Sequence, residues 1–248
     1  MADKKIRVLV WNEYRHEKTD PQVTEVYPEG IHACIREFLG KEEDMEVRTA
    51  VLDDPNNGLS DELLAETDVM IWWGHMFHHL VSDENVALIV KHVHNGMGFI
   101  ALHSAHMSKP FRALMGSPCT LLWRDNDAET LWCVDPTHPI AKGVPAKIVL
   151  PHEEMYGEYF LVPKPDDLVF IGNFKGGEVF RSGLTFTRGY GRIFYLQPGH
   201  EEYPTYYIPA IQQILKNAVR WAAEPERRER AEECFHVDAD DNILGLTR

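Results

Sequence analysis

The chain has 248 residues, of which 44% are hydrophobic and 26% charged, an ordinary composition for a globular protein with one large core. Its net charge of −14 argues against binding to nucleic-acid backbones or anionic membrane surfaces, since both require clustered Lys and Arg. No apolar stretch approaches the roughly 20 residues of a membrane span, and no secretory signal precedes the first strand-like run. The 4 cysteines are scattered without a CxxC pair, so we expect reduced thiols in a cytoplasmic protein.

The first part of the chain alternates between strand and helix patterns. Short apolar runs predict strands, and apolar residues at helical spacing predict a helix ended by Gly40 and another that begins at Ser82 and ends at Gly96. The segment "KPFRALMG" begins a further helical turn. The strand-like runs are residues 6–11, 45–52, 68–74 and 97–102. This alternation is typical of a parallel sheet covered by helices.

The pattern changes at about residue 119. Residues 119–190 are rich in Pro, Gly and short strand-like runs, which predicts a β-rich insertion or sheet edge. A buried strand, "GRIFYLQPG", follows, and then an amphipathic helix with Pro204 in its first turn. We predict a single α/β domain over residues 1–223 and a charged C-terminal tail over residues 224–248. The tail packs on a neighbour or is loosely ordered, and we expect a homo-oligomer.

Histidines and carboxylates follow the predicted strands. Ligands bind beyond the carboxyl ends of strands in an open parallel sheet, so these side chains are candidates for one common site. They are Asn12, Glu13 and His16 after the first strand; His75, His78 and His79 after the third; His103, Ser104 and His106 after the fourth; His152, Glu153 and Glu154 after "KIVL"; and His200, Glu201 and Glu202 after "RIFYLQ".

Three kinds of chemistry fit this set. Imidazoles and carboxylates together bind Zn²⁺ or a similar divalent cation and leave a position open for water or substrate. Histidine also works without a metal as a general acid or base, with a carboxylate to orient it. The third is recognition of a polar ligand such as a sugar, with a tryptophan as stacking surface. The candidates for that surface are Trp72, Trp73, Trp123 and Trp132.

Other histidines have structural explanations, and we expect them to be solvated or bonded to their neighbours. These are His32, His92, His94, His138 and His236. For His75, His103 and His200 a functional role is the stronger hypothesis. The sequence has no CxxC, HExxH or GxxxxGK[ST] pattern, so no short motif identifies the site by itself.

Several longer segments carry a resemblance. "ALHSA" resembles the nucleophile elbow of class I glutamine amidotransferase-like proteins, with His103 where those proteins have cysteine. "LQPGHEEYPTY" resembles their late His-x-Glu pair, which would be His200 and Glu202, and "MIWWGH" resembles a loop that lines their site. Together with "VYPEGIH", "GMGFIALHSAH", "EEMYGE" and "NAVRWA", these segments look like the trehalose-utilisation (ThuA-like) family from about Val8 to Trp221.

This resemblance implies a flavodoxin-like three-layer α/β/α fold with a mostly parallel central sheet. It also implies a role in disaccharide metabolism, with trehalose or an oxidised trehalose derivative as the substrate class. Glutamine hydrolysis is disfavoured, because a thiolate-based glutaminase needs the cysteine that His103 replaces.

Our hypothesis is a sugar-processing enzyme that is either metal-assisted or an acid–base catalyst, with no nucleotide cofactor. The alternative is a non-catalytic sugar-binding or regulatory protein. The predicted catalytic residues are His103, His200, Glu154 and Glu202, with Glu202 orienting His200. The predicted metal ligands, for Zn²⁺ above other cations, are His75, His103 and His200. The predicted substrate-binding residues are Asn12, Glu13, His16, Trp73, His106 and Tyr156.

Overall fold

The computed structural model describes residues 5–228, 235–237 and 243–245. Strands and helices alternate in its first half, and strands dominate the second half up to a long helix. The helices are α1 (His16–Thr19), α2 (Pro21–Val26), α3 (Ile31–Leu39), α4 (Asp61–Ala65), α5 (Asp83–His94), α6 (Lys109–Met115) and α7 (Pro209–Ala223). The strands are β1 (Ile6–Asn12), β2 (Met45–Val51), β3 (Val69–Trp73), β4 (Gly98–Leu102), β5 (Leu122–Cys133), β6 (Lys147–Gly157), β7 (Asp167–Phe174), β8 (Val179–Arg188), β9 (Gly191–Leu196), β10 (Phe235–Val237) and β11 (Ile243–Gly245).

Nine of these strands form one sheet in the order β2-β1-β3-β4-β9-β8-β7-β5-β6. In the first part of this order, β2-β1-β3-β4-β9, neighbouring strands are parallel. In the second part, β9-β8-β7-β5-β6, neighbouring strands are antiparallel. The parallel part has the flavodoxin-like order, in which the direction of strand addition reverses between β1 and β3. The predicted flavodoxin-like α/β/α fold with a mostly parallel central sheet is therefore confirmed.

The central strands are buried on both faces. Every residue of β3 and β4 is buried, which explains why their sequences are continuous apolar runs rather than alternating ones. In β4, Ile100 and Leu102 belong to the core that includes residues of α3 and α7, whereas Phe99 and Ala101 belong to the core that includes residues of α5 and α6. Successive side chains of a strand point to opposite faces, so one strand joins two hydrophobic cores.

The β-rich region extends the sheet with four antiparallel strands, β5 to β8. Strand β6 continues to Gly157, so Glu153 and Glu154 lie within it rather than beyond its end as the sequence suggested. Register shifts between β5 and β6 occur around Asp127, opposite Glu153. Such irregularities bend a strand and re-aim its side chains. The sheet edge therefore bends where β6 carries its two carboxylates.

The helix boundaries partly follow the predictions. Ser82 caps α5 by accepting a hydrogen bond from the backbone N–H of Asn85 (3.1 Å), as predicted. Helix α7 begins at Pro209, because Pro204 instead precedes a short 3₁₀ turn. None of the helices in the described ranges is long and apolar enough to cross a membrane.

The predicted tail is only partly described. Its first residues contact the domain. The guanidinium group of Arg227 donates to the carbonyl oxygen of Thr67 (3.0 Å), and the backbone N–H of Arg228 donates to the carbonyl oxygen of Asn95 (2.7 Å). Further on, β10 and β11 pair antiparallel. Cys234 lies outside the described residues, as does the side chain of His236. The domain boundary at residue 223, the cytoplasmic location and the homo-oligomer stay predictions.

Candidate active site

A cavity of about 710 Å³ is lined by residues that follow β1, β3, β4 and β9 and by residues of β5 and β6. It includes residues from both sides of the β1/β3 reversal, where ligands bind in flavodoxin-like sheets. Most of the residues predicted for the site line this cavity: His16, His75, His106, Glu154, Tyr156, His200 and Glu202. The strand-end pattern thus identified one real pocket.

His103 occupies the turn after β4. Its φ is 51°, a left-handed backbone conformation that non-glycine residues adopt only with strain. Its Nδ1–H donates to the carbonyl oxygen of Gln197 (2.8 Å), and the hydroxyl of Tyr195 donates to the carbonyl oxygen of His103 (3.1 Å). This left-handed conformation agrees with the resemblance of "ALHSA" to a nucleophile elbow. However, the imidazole is completely buried and is not among the side chains that line the cavity.

His103 and Glu154 form a buried ion pair. The His103 Nε2 lies 3.0 Å from Glu154 Oε2, and the Tyr156 ring stacks on the imidazole. Nδ1 must carry a proton to bond a carbonyl, so contact with an ionised carboxylate requires a second proton on Nε2. Burial opposes the charge on His103, but the hydrogen bond and charge of Glu154 outweigh burial and raise its pKa to about 9. Burial raises the Glu154 pKa, but His103 outweighs it, so the net pKa lies below the usual value.

Two neutral histidines of opposite polarity flank this pair. The Nδ1–H of His106 donates to the carbonyl oxygen of Cys119 (2.7 Å), which leaves Nε2 as an acceptor. The Nδ1 of His200 accepts from the backbone N–H of Glu202 (3.3 Å), which leaves the proton on Nε2 as a donor. Burial is the main reason that both histidines have a pKa of about 4.

A second group joins His16, His75 and Glu201. The Nδ1 atoms of His16 and His75 lie 3.0 and 2.5 Å from the same oxygen, Oε1 of Glu201, and 3.3 Å from each other. Burial raises the pKa of Glu201, but its hydrogen bonds to the two histidines outweigh burial and hold the pKa far below its usual range. The pKa of His16 is raised, chiefly by its bond to Glu201.

Two further buried carboxylates hold the loops that carry these groups. Glu13 accepts the backbone N–H groups of His75 (2.9 Å), Met76 (3.1 Å) and Phe77 (2.9 Å). Glu153 accepts those of Glu154, Gly199 and His200 and the hydroxyl of Thr205. Carboxylates that accept several backbone N–H groups fix a loop in one conformation. Glu13, predicted to bind substrate, is thus occupied in supporting the His75 loop.

Some predicted residues lie outside the cavity. The buried Asn12 donates to Glu17 Oε1 (2.6 Å), and the buried Trp73 donates to the carbonyl oxygen of Gly199 (3.1 Å). Trp72 stacks on Trp11 in the core with ring centroids 3.7 Å apart. Trp132 is exposed away from the cavity residues. Trp123, 63% exposed, is the candidate stacking residue that lines the cavity.

The three histidines predicted as one metal-ligand set divide between two groups. His75 joins His16 and Glu201, whereas His103 and His200 join Glu154. The carboxylate that meets the histidines is Glu201, because Glu202 accepts from Gln22 (3.1 Å) and contacts His200 only through its backbone N–H. Glu201 was among the strand-end candidates but had no assigned role, because the sequence "HEE" does not show which glutamate of a loop points inward.

We expect Glu13→Gln to destabilise the fold by about 2–3 kcal/mol, because one amide N–H₂ would then face buried N–H donors that lose their acceptor. Urea unfolding measures the change. The exposed Glu29→Gln should stay within about 0.5 kcal/mol of the wild type. Equal stability of Glu13→Gln and the wild type would contradict the anchoring role.

We expect His103 to keep its second proton up to about pH 9 in the folded protein. Since its reference pKa is 6.5, the ion pair contributes fully to stability below that pH, and the contribution disappears as pH rises through about 9. NMR titration of the imidazole nitrogens measures the pKa. Glu154→Gln should lower it, because the bond and the charge that outweigh burial are then lost, and only the weaker effects of Glu153 and the Gln197 carbonyl still raise the pKa. A wild-type pKa at or below 6.5 would refute the ion pair.

Comparisons with known proteins agree with this architecture. A ThuA-like protein from Parabacteroides merdae has 17% sequence identity and a TM-score of 0.67, over 89% of this chain and 91% of that one. A ThuA-like protein from Bacteroides uniformis has 17% identity and a TM-score of 0.62, over 90% and 93%. A glutamine amidotransferase from Thermotoga maritima has 13% identity and a TM-score of 0.52, over 88% and 98%. At these identities the likeness shows the fold alone.

The sequence itself supports a family assignment. None of the curated proteins matches the chain. The family model ThuA, described as trehalose utilisation, matches residues 7–222 and so covers the cavity residues together with most of the sheet. The chain therefore belongs to the ThuA trehalose-utilisation family.

Proposed function

We propose that this protein is an enzyme of disaccharide utilisation in which Glu154 acts as a general base on trehalose or a keto derivative of trehalose. The observation that carries the proposal is the ion pair between Glu154 and His103. A carboxylate at the cavity wall is kept ionised by an imidazolium behind it. The trehalose-utilisation family description supports the sugar as substrate class.

The two partners have different roles. Glu154 lines the cavity, whereas His103 has no exposed surface and does not. We infer that Glu154 contacts the substrate and that His103 positions it. His103 is in turn fixed by the Gln197 carbonyl and by the stacked Tyr156 ring. A base held by a rigid partner loses little freedom when it accepts a proton.

The rest of the cavity suits a sugar. The His106 Nε2 acceptor and the His200 Nε2–H donor have fixed and opposite polarity, which matches hydroxyl groups that both donate and accept. The Tyr156 side chain adds a further polar group. At the rim, the exposed Trp123 offers a flat surface for a pyranose ring. Cavities that combine an aromatic surface with a few fixed polar groups are typical of small-molecule sites.

The charge state of Glu154 favours proton abstraction over direct glycoside hydrolysis. Hydrolysis by two carboxyl groups requires one that stays protonated as the general acid. The pKa values of Glu154 and Glu201 are both below the usual value, so neither suits that role. Burial raises the pKa of Glu202, which also lines the cavity, but its carboxyl group is turned to Gln22 rather than to Glu154. In a keto derivative, the carbonyl acidifies the neighbouring C–H bond, and an ionised carboxylate can then abstract that proton. We therefore favour the keto derivative over trehalose itself.

Glutaminase activity is not expected. His103 occupies the elbow position, and the described cysteines Cys34, Cys119 and Cys133 do not line the cavity. Burial raises the pKa of the Cys34 thiol to about 11 and that of Cys119 to about 12, so neither is a thiolate at neutral pH.

We expect Glu154→Gln to reduce kcat on 3-keto-trehalose by about 10²–10⁴-fold with a small change in KM, because the amide keeps the shape but cannot accept the proton. Mass analysis of the products over time measures the rate, with trehalose in parallel. The exposed Glu62→Gln is the control and should behave as the wild type. If the wild type binds either sugar but leaves it unchanged, the protein is the non-catalytic binding protein instead.

We expect His103→Gln to move the acidic limb of the kcat/KM profile to higher pH. Glu154 works when ionised, so activity falls as pH falls through its pKa, and loss of the imidazolium raises that pKa. The other titratable groups around His103 remain in this variant, and they include Glu153, His200, His106 and Tyr156. A lower rate with an unchanged profile would assign His103 to packing alone.

A further inference from the structure

A second centre lies beside the proposed base, and it uses none of the same side chains. We propose that His16, His75 and Glu201 form a binding site for one divalent transition-metal cation, with Zn²⁺ as the best match and with open coordination toward the cavity. This inference goes beyond the proposed function, because proton abstraction by Glu154 does not require a metal.

The spacing of the three donor atoms carries the proposal. Nδ1 of His16 lies 3.3 Å from Nδ1 of His75, and these atoms lie 3.0 and 2.5 Å from Oε1 of Glu201. Ligand atoms about 2.0–2.1 Å from a tetrahedral Zn²⁺ are roughly 3.3 Å apart. The imidazole pair already has this separation, and the two contacts with Glu201 must widen, each by less than about 1 Å.

An unsatisfied atom provides a second, independent observation. Glu201 Oε2 is buried without a hydrogen-bond partner, and it lies 3.7 Å from His200 Nε2, which is too far for a hydrogen bond. The Glu201 side chain is only 4% exposed. An ionised carboxylate oxygen left unpaired in such surroundings is costly, and buried polar atoms of this kind indicate an absent ion or water. A cation bound by both oxygens of this carboxylate would give Oε2 its missing partner.

The group is open on the side of the cavity. The side chains of His16 and His75 are 24% and 23% exposed, and all three residues line the cavity. Two imidazoles and one carboxylate would therefore hold the cation from one side and leave coordination positions for water or a sugar hydroxyl. Catalytic zinc sites have this three-ligand arrangement, whereas structural sites are closed by a fourth protein ligand.

The position of the ligands is supported by their surroundings. The backbone at His75 is held by Glu13, and Glu201 follows directly on His200, whose backbone N–H is held by Glu153. Ligands fixed in this way lose little conformational entropy on binding a cation. The competing group of His103, Glu154 and His200 is less suitable, because His103 is fully buried and His200 presents Nε2–H toward it.

Metal binding to the full-length, untagged protein tests the proposal. After chelator treatment and dialysis, calorimetry with Zn²⁺ should show one site, and Co²⁺ should give the visible absorption of a tetrahedral complex. Glu201→Gln and His16→Asn should each weaken Zn²⁺ affinity by more than about 100-fold, since loss of an outer-shell partner alone costs up to that much. Circular dichroism confirms that each variant folds. If Glu201→Gln does not fold, His16→Asn still tests the site, because His16 is partly exposed.

Two matched variants complete the test. Glu202→Gln, at the neighbouring residue whose carboxylate bonds Gln22, should bind Zn²⁺ as the wild type does. Glu154→Gln should also keep Zn²⁺ binding, even though it abolishes the proposed catalysis, which separates the two proposals. The metal site is overturned if the wild type binds neither cation in a one-to-one ratio. It is equally overturned if Glu154→Gln loses the metal while Glu201→Gln keeps it.

Discussion

The loops that carry the histidines depend on hydrogen bonds from backbone N–H groups to two buried carboxylates. Loop segments without ladder partners must satisfy their N–H groups elsewhere. Glu13 does this for the loop after β3, and Glu153 does it for the loop after β9. Both the position of His75 and that of His200 follow from these bonds. The geometry of the pocket is therefore set by carboxylates that never reach its surface.

Two of the carboxylates that line the cavity, Glu154 and Glu201, have imidazole partners, and they differ in where those partners lie. Glu154 has a single partner, His103, which is buried behind it and leaves its cavity side free. Glu201 has two partners, His16 and His75, which themselves line the cavity. The first arrangement keeps a carboxylate charged and available for a proton. The second gathers three donor atoms around one point. One pocket thus contains two different electrostatic environments for the same side-chain type.

The sequence predicted the parallel half of the fold well, because doubly buried strands such as β3 and β4 need continuous apolar runs. Most of the residues to which it assigned a role in the site also line the cavity. It did not predict the length of β6, since "PHEEMYG" begins with proline and is polar. Nor could it rank Glu201 over Glu202 or place His103 behind Glu154. The depth at which a side chain is buried and the direction in which a loop side chain points depend on tertiary contacts that no local sequence pattern encodes.

Two consecutive residues of strand β6 have different roles in the site. Glu153 anchors a loop and Glu154 lines the cavity, so consecutive residues serve scaffold and chemistry. Because β6 is the outermost strand of the sheet, β5 is its only strand neighbour there, and the bonds from Gly199 and His200 to Glu153 help to fix its alignment. Sliding it by one residue would turn each side chain to the opposite face, so that one glutamate takes the place of the other and the vacated place goes to His152 or Met155. A relative with a one-residue insertion in β6 would thus keep the architecture and lose either the base or the loop anchor, which makes the length of this strand a criterion for sorting the family.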